Sequence, residues 1–446
     1  MRCDRLRLGR FVLIVLLMAL AGCESLFGDS ESEKEKVTGE RIAVMQASRK
    51  LAPDSEVSDV KPVMPPTVAN RDWPQAGGNA EHSLIHAELA SQPEEIWRAD
   101  IGRGSGGYYK LLSLPVVSGG RVFTLDARGL VTAFSAADGE RLWEFDTTPP
   151  ESDDRAMSGG ICAAGGALYV TTGFGEVVSL KAKDGSLTWR KTVGKPFRAA
   201  PTVAEDRVFV VGIDNELTAL ASKTGEKLWH HNGIAESATL MGASSPAAMG
   251  DSVVVAYSSG EIFNLRAQNG RMAWTDVLAV PELVGALPAI ADIRGLPVID
   301  RGRVYAISHS GRMAAIDQRT GDRVWEADVG GINTPLIAGD TVFVLSNDNE
   351  LIALTRERGR IIWIKSLQKL EDPEDRDSTP VFWWGPLLAG GKLWLTNSLG
   401  HIGSFNPENG DFLYDAEVSK AFYIPPIAAG GAMFVLSDDG QLTALK

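Results

Sequence analysis

The sequence predicts an all-β protein: an eight-bladed β-propeller of four-stranded antiparallel blades, its ring closed by an N-terminal strand joining the C-terminal blade. Three observations carry this. A glycine followed four residues later by an aromatic recurs as Gly139/Trp143, Gly185/Trp189, Gly225/Trp229, Gly270/Trp274, Gly321/Trp325, Gly359/Trp363 and Gly410/Tyr414. Ahead of each landmark lie two short runs of alternating apolar residues joined by a polar or glycine-bearing turn, which is hairpin chemistry. An eighth unit begins at Ile427 but stops at Lys446, before its last strand, and a matching strand stands alone around Trp97.

Taken in order, residues 1–22 read as a signal segment. Arg2, Arg5, Arg7 and Arg10 precede the apolar run FVLIVLLMAL, which is too short to span a bilayer comfortably. Leu20-Ala21-Gly22-Cys23 follows and resembles a bacterial lipobox, in which the cysteine is acylated after cleavage. Glu24 then stands where an inner-membrane lipoprotein would carry aspartate, which by the same resemblance implies the outer membrane. Several acyl chains attach lastingly, since each buried methylene contributes about 0.8 kcal/mol.

Residues 23–70 are polar, acidic and then proline-containing, the composition of a flexible tether with one short helix expected near 42–51. The propeller is expected over 71–446. The strand Glu95-Ile96-Trp97-Arg98 resembles Arg141-Leu142-Trp143-Glu144 without a unit in front of it. Within the units, turns such as Gly173-Phe174-Gly175, Asp214-Asn215 and Asn347-Asp348-Asn349 separate the paired runs, and a short extended segment, often opened by proline as at Pro115, Pro201, Pro246, Pro297, Pro335 and Pro386, comes first. A lone four-stranded sheet of this size leaves an apolar face uncovered. Stacking such units radially covers both faces. Trp97, Trp143, Trp189, Trp229, Trp274, Trp325, Trp363 and Tyr414 are therefore expected to pack between neighbouring blades.

Composition narrows function. The formal charge of −13 becomes −16 once the signal segment, with its +3, is removed. Without a basic tract such a chain has no electrostatic footprint for nucleic acid. Of three cysteines, Cys3 leaves with the signal and Cys23 carries lipid, so Cys162 has no partner and reads as a buried hydrophobe. The six histidines show no metal-ligand spacing, and no catalytic constellation is evident.

The stretches Gly166–Trp189, Asp206–Trp229 and Gly302–Trp325 resemble the pyrroloquinoline-quinone-type propeller repeat, and Trp73-Pro74-Gln75-Ala76-Gly77-Gly78-Asn79 resembles the entry segment of such proteins. With a lipobox in front, the whole resembles the BamB family of outer-membrane lipoproteins. The resemblance implies a non-catalytic scaffold without cofactor or metal, facing the periplasm. It would bind the periplasmic POTRA domains of BamA within the assembly machinery, with nascent outer-membrane proteins as candidate clients.

The family's partner-binding loops correspond here to Leu240-Met241-Gly242 and to Asp292-Ile293-Arg294. Leu240 and Asp292 keep the family's residue type, whereas Met241 replaces a usual arginine and Arg294 a usual acid, as if a cation had moved between loops. The alternative is that Leu240 anchors its loop under the rim and Asp292 and Arg294 form a solvated ion pair.

Two other readings are open. A quinoprotein dehydrogenase shares the repeat but needs a hard-cation site of six or more oxygens and usually a vicinal disulfide. A peptide- or cell-wall-binding propeller would use Phe382-Trp383-Trp384, unless those residues open the first strand of blade seven and fill the gap between blades.

Overall fold

The computed structural model of the chain describes residues 51–152, 156–157, 159–237, 239–279 and 291–446. Blade one shows how a repeat folds. Val116–Ser118, Arg121–Leu125, Leu130–Ser135 and Arg141–Asp146 pair in sequence, all antiparallel. The Asp126 carboxylate closes the middle turn by accepting the N–H groups of Arg128 and Leu130 at 2.8 Å each. Gly139, at φ 73°, makes the next turn in the left-handed region that side chains disfavour. Eight such sheets are found among the described residues, and together they form an eight-bladed propeller.

Burial follows from the stacking. The two middle strands of each blade are covered on both faces by neighbours and read as nearly continuous apolar runs, as in Val208, Phe209, Val210 and Val211. The outermost strands are largely exposed and the innermost are only three residues long in most blades. Proline falls just before several innermost strands, where no ladder N–H is needed. In blade seven, Pro386 lies inside Trp383–Ala389, and the pairing register shifts there between Trp384 and Leu387.

The glycine and the aromatic of one landmark serve different neighbours. Trp143 of blade one donates its indole N–H to the Ala182 carbonyl of blade two at 3.3 Å and lies over Gly185, where an added Cβ would come within 2.5 Å of the ring. The same bond runs from Trp97 to Ala136, Trp189 to Ser222, Trp229 to Ala267, Trp274 to Gln318, Trp325 to Arg356 and Trp363 to Pro407. A β-bulge recurs beside each aromatic. Ala133 faces Trp143 while Phe134 faces Arg141, so Leu142 drops out of the ladder and the strand twists toward the next blade. Tyr414 instead packs edge-on against Trp394 of its own blade, with centroids 5.9 Å apart.

The ring closes by pairing Glu95–Asp100 with Gln441–Leu445, with Trp97 opposite Ala444. Glu94 and Lys446 exchange backbone hydrogen bonds of 2.9 and 2.8 Å just beyond.

The entry segment does more than introduce the repeats. Each innermost strand has an unpaired edge, and residues 70–90 supply it with partners. Trp73 pairs with Val117, Pro74 accepts from Ala163, Ala80 from Ala248, Glu81 from Ile299 and Asn70 from Gly430, while Ala87 both donates to Leu388 and accepts from Gly390. Gln75 donates to the Val203 carbonyl and accepts its N–H at 3.0 and 2.9 Å. One strap thus satisfies buried backbone groups in seven blades, and unpaired groups there would be costly.

The expected tether is corrected at its end. From Leu51 the chain is docked: the Asp54 N–H donates to the Ile361 carbonyl, its carboxylate pairs with Arg360 at 2.7 Å, and Val57 and Met64 pack on apolar residues of blades six and seven. The prolines and apolar residues of 51–70 find a surface that composition alone does not reveal. The signal segment, Cys23 and the remaining tether, including most of the expected helix, lie outside the described residues.

Candidate functional site

The connection from blade three to blade four begins after Asn232 and carries Leu240, Met241 and Gly242; the connection into blade five carries Asp292 and Arg294. The structure joins them. A carboxylate oxygen of Asp292 accepts the Leu240 N–H at 2.8 Å. Asp292 itself is buried, and burial raises its pKa despite that bond and nearby Arg294. Gly242, at φ +95°, leaves room where a Cβ would sit 3.0 Å from Nε of Arg294. Met241 is 45 % exposed and Leu240 is half-buried.

The expected solvated ion pair needs correction: Asp292 is buried, and no ion pair joins it to Arg294 among the described residues. Asp292 holds the first loop from beneath. Arg294 lays its guanidinium over the ring of Trp384, 4.8 Å from the centroid, and lines the central cavity. Desolvation by burial, partly offset by Asp292, lowers its pKa to about 10, so it stays cationic at neutral pH. A cation has not moved from one surface loop to another, because Arg294 is directed to the axis while Met241 is at the surface.

Sequence reasoning missed Ile234, 61 % exposed in the same connection. Its N–H donates to the Glu261 carboxylate at 2.8 Å and its carbonyl accepts from Asn215 at 2.6 Å. An isoleucine just ahead of Glu236 and Ser237 in the connection is the available signal. Ile234, Leu240 and Met241 give this connection apolar side chains, and its backbone is held at Ile234 and at Leu240.

The Phe382-Trp383-Trp384 cluster divides. Trp383 is buried and donates to the Gln368 carbonyl at 2.9 Å, and Trp384 is buried facing the cavity. Only Phe382, 52 % exposed, remains outside. The two tryptophans open the first strand of blade seven and pack there.

A quinone held with a hard cation does not fit this centre. The described residues lining the cavity include no carboxylate, and Cys162 is buried, its thiol pushed up by desolvation. No group of three or more His, Cys, Asp or Glu suited to a metal occurs among the described residues.

Comparison with known proteins gives the family. The family described as "Outer membrane protein assembly factor BamB" matches residues 81–154 and 127–365. A protein of that name from Yersinia pestis is 27 % identical over 81 % of this chain and 91 % of its own length, and one from Escherichia coli K12 is 25 % identical over 79 % and 88 %. The crystal structure of BamB from Moraxella catarrhalis superimposes with a TM-score of 0.68 at 18 % identity, covering 79 % of this chain and 99 % of that one. A quinohemoprotein alcohol dehydrogenase from Comamonas testosteroni, at 13 % identity and TM-score 0.64, shares the fold alone. With the family match spanning more than half its length, the chain belongs to the BamB family of outer membrane protein assembly factors.

Proposed function

We propose that this protein is a non-catalytic scaffold of outer-membrane β-barrel assembly, anchored by lipid on Cys23 to the periplasmic face of the outer membrane and docking on the POTRA domains of BamA. Family membership supports the role in outer membrane protein assembly. The observation that carries the docking site is the brace under the blade three to blade four loop. Asp292 grips the Leu240 backbone from a buried position, which lowers the ordering cost of presenting Leu240 and Met241 on binding. The partner contact is apolar at its centre, with the acidic remainder of the surface favouring a partner of basic or mixed charge. Nascent barrel proteins are the clients whose assembly the docked scaffold assists.

The test replaces Leu240 and Met241 together by aspartate and leaves buried Asp292 untouched. The variant is expected to keep its circular dichroism and melting temperature and to lose co-purification with BamA from detergent-solubilised membranes. Undiminished co-purification would remove this loop from the interface.

A further inference from the structure

The central cavity, about 140 Å³, is walled by the loops ahead of the innermost strands and bounded by the entry segment at Trp73, Ala76 and Gly77. Its polar groups are unbalanced. Arg294 and Arg198 both line it, and among the described residues neither has a hydrogen-bond or ion-pair partner. The indole N–H groups of Trp73 and Trp384, which also line it, are buried and have no acceptor among the described residues. Buried donors are ordinarily paired, so two buried indole N–H groups beside two partly buried guanidinium groups, with no carboxylate among the described lining residues, mark a place for an acceptor. The rest of the wall is apolar, with Leu114, Ile332 and Pro425 among its residues.

We propose that this cavity binds a small organic carboxylate with an apolar body of about the size of a benzene ring. The volume sets the size: a protein cavity of about 150 Å³ accommodates benzene. Guanidinium groups set the charge, since a planar carboxylate matches their paired N–H geometry. Trp384 orients one of them. Its ring face supports Arg294 at 4.8 Å, and Tyr423 meets its edge at 6.5 Å, so the cation is held by a face that leaves its N–H groups free. The site goes beyond scaffold docking and does not depend on it: Gly242 and Ala243 of the docking connection reach its wall, but the side chains of Leu240 and Met241 do not line it.

The experiment uses the full mature chain in detergent and measures binding by calorimetry and by quenching of tryptophan fluorescence. Benzoate represents a free acid, N-acetylphenylalanine the carboxyl end of a chain, benzamide the neutral isostere, and inorganic phosphate an anion without an apolar body. One of the two carboxylates is expected to saturate the site at least tenfold more tightly than benzamide or phosphate, and the tighter one identifies the source. Arg294→Gln is expected to weaken that binding at least tenfold with circular dichroism and melting temperature unchanged. If Arg294→Gln does not fold, Arg198→Gln, from a different blade junction, is the deciding variant with the same expected loss. Equal binding of benzamide, equal binding of phosphate, no saturable binding of either carboxylate, or unchanged affinity in the folded arginine variant would each overturn the proposal.

Discussion

His82 shows what one buried side chain can impose on the molecule. It sits in the entry strap with φ 59°, its Nδ1–H donates to the Pro297 carbonyl of blade five at 2.9 Å, and Nε2 has no partner among the described residues. Desolvation lowers its pKa from 6.5 to about 4. A histidine held neutral in the fold contributes stability that is fully present above its unfolded pKa, near 6.5, and lost as pH falls from there toward 4. At about 1.4 kcal/mol per pKa unit, the loss is roughly 3 kcal/mol. His82→Asn, which tolerates the left-handed backbone and offers an amide donor, is expected to flatten the dependence of melting temperature on pH between 6.5 and 4. An unchanged slope in the variant would assign the dependence elsewhere. The histidine was visible in the sequence. Its role was not, because burial under blade five depends on a strap and a blade more than two hundred residues apart.

At the scale of the element, the landmark that made the repeats legible turns out to be a contact between consecutive blades. Gly225 lies under Trp189 of the preceding blade, with a would-be Cβ 2.6 Å from the ring, whereas Trp229, four residues on, reaches forward to Ala267. Gly225→Ala is expected to cost about 1–3 kcal/mol through overpacking at a positive φ. Trp229→Ala should cost about 3–5 kcal/mol through the lost ring. The two should add, since they act on different junctions, whereas Gly225→Ala combined with Trp189→Ala should fall well short of the sum because removing the ring relieves the clash. Denaturant unfolding of the three single and two double variants decides this, and additivity in both pairs would show that glycine and ring do not meet. Periodicity revealed the elements because each blade repeats the same local demands. The loops between blades escape that logic: Asp292 and Arg294, two residues apart, serve a loop brace and the axial cavity respectively.

For the whole molecule, closure and the strap matter most. Eight short sheets pack face to face around an axis, and residues 51–90 tie seven or more of them together through backbone bonds to the innermost strands and docking on blade six. A chain beginning at residue 91 keeps the closing strand Glu95–Asp100 but leaves those inner edges unpaired. Its melting temperature is expected to fall by more than about 10 °C relative to the mature chain, given about 1 kcal/mol for each hydrogen bond lost. A fall of only a degree or two in differential scanning calorimetry would show that the strap is dispensable.

The eight-bladed ring, the pairing of its first and last strands and the family were legible along the chain, because alternation, turn residues and the glycine–aromatic spacing are local properties that repeat from blade to blade. Tertiary structure decided which faces those residues meet. It docked residues 51–70, buried Asp292 beneath the loop it was expected to accompany, and turned Arg294 inward to Trp384. These outcomes depend on packing between segments far apart in sequence, where direction is set by the ring and not by the spacing of residues along one strand.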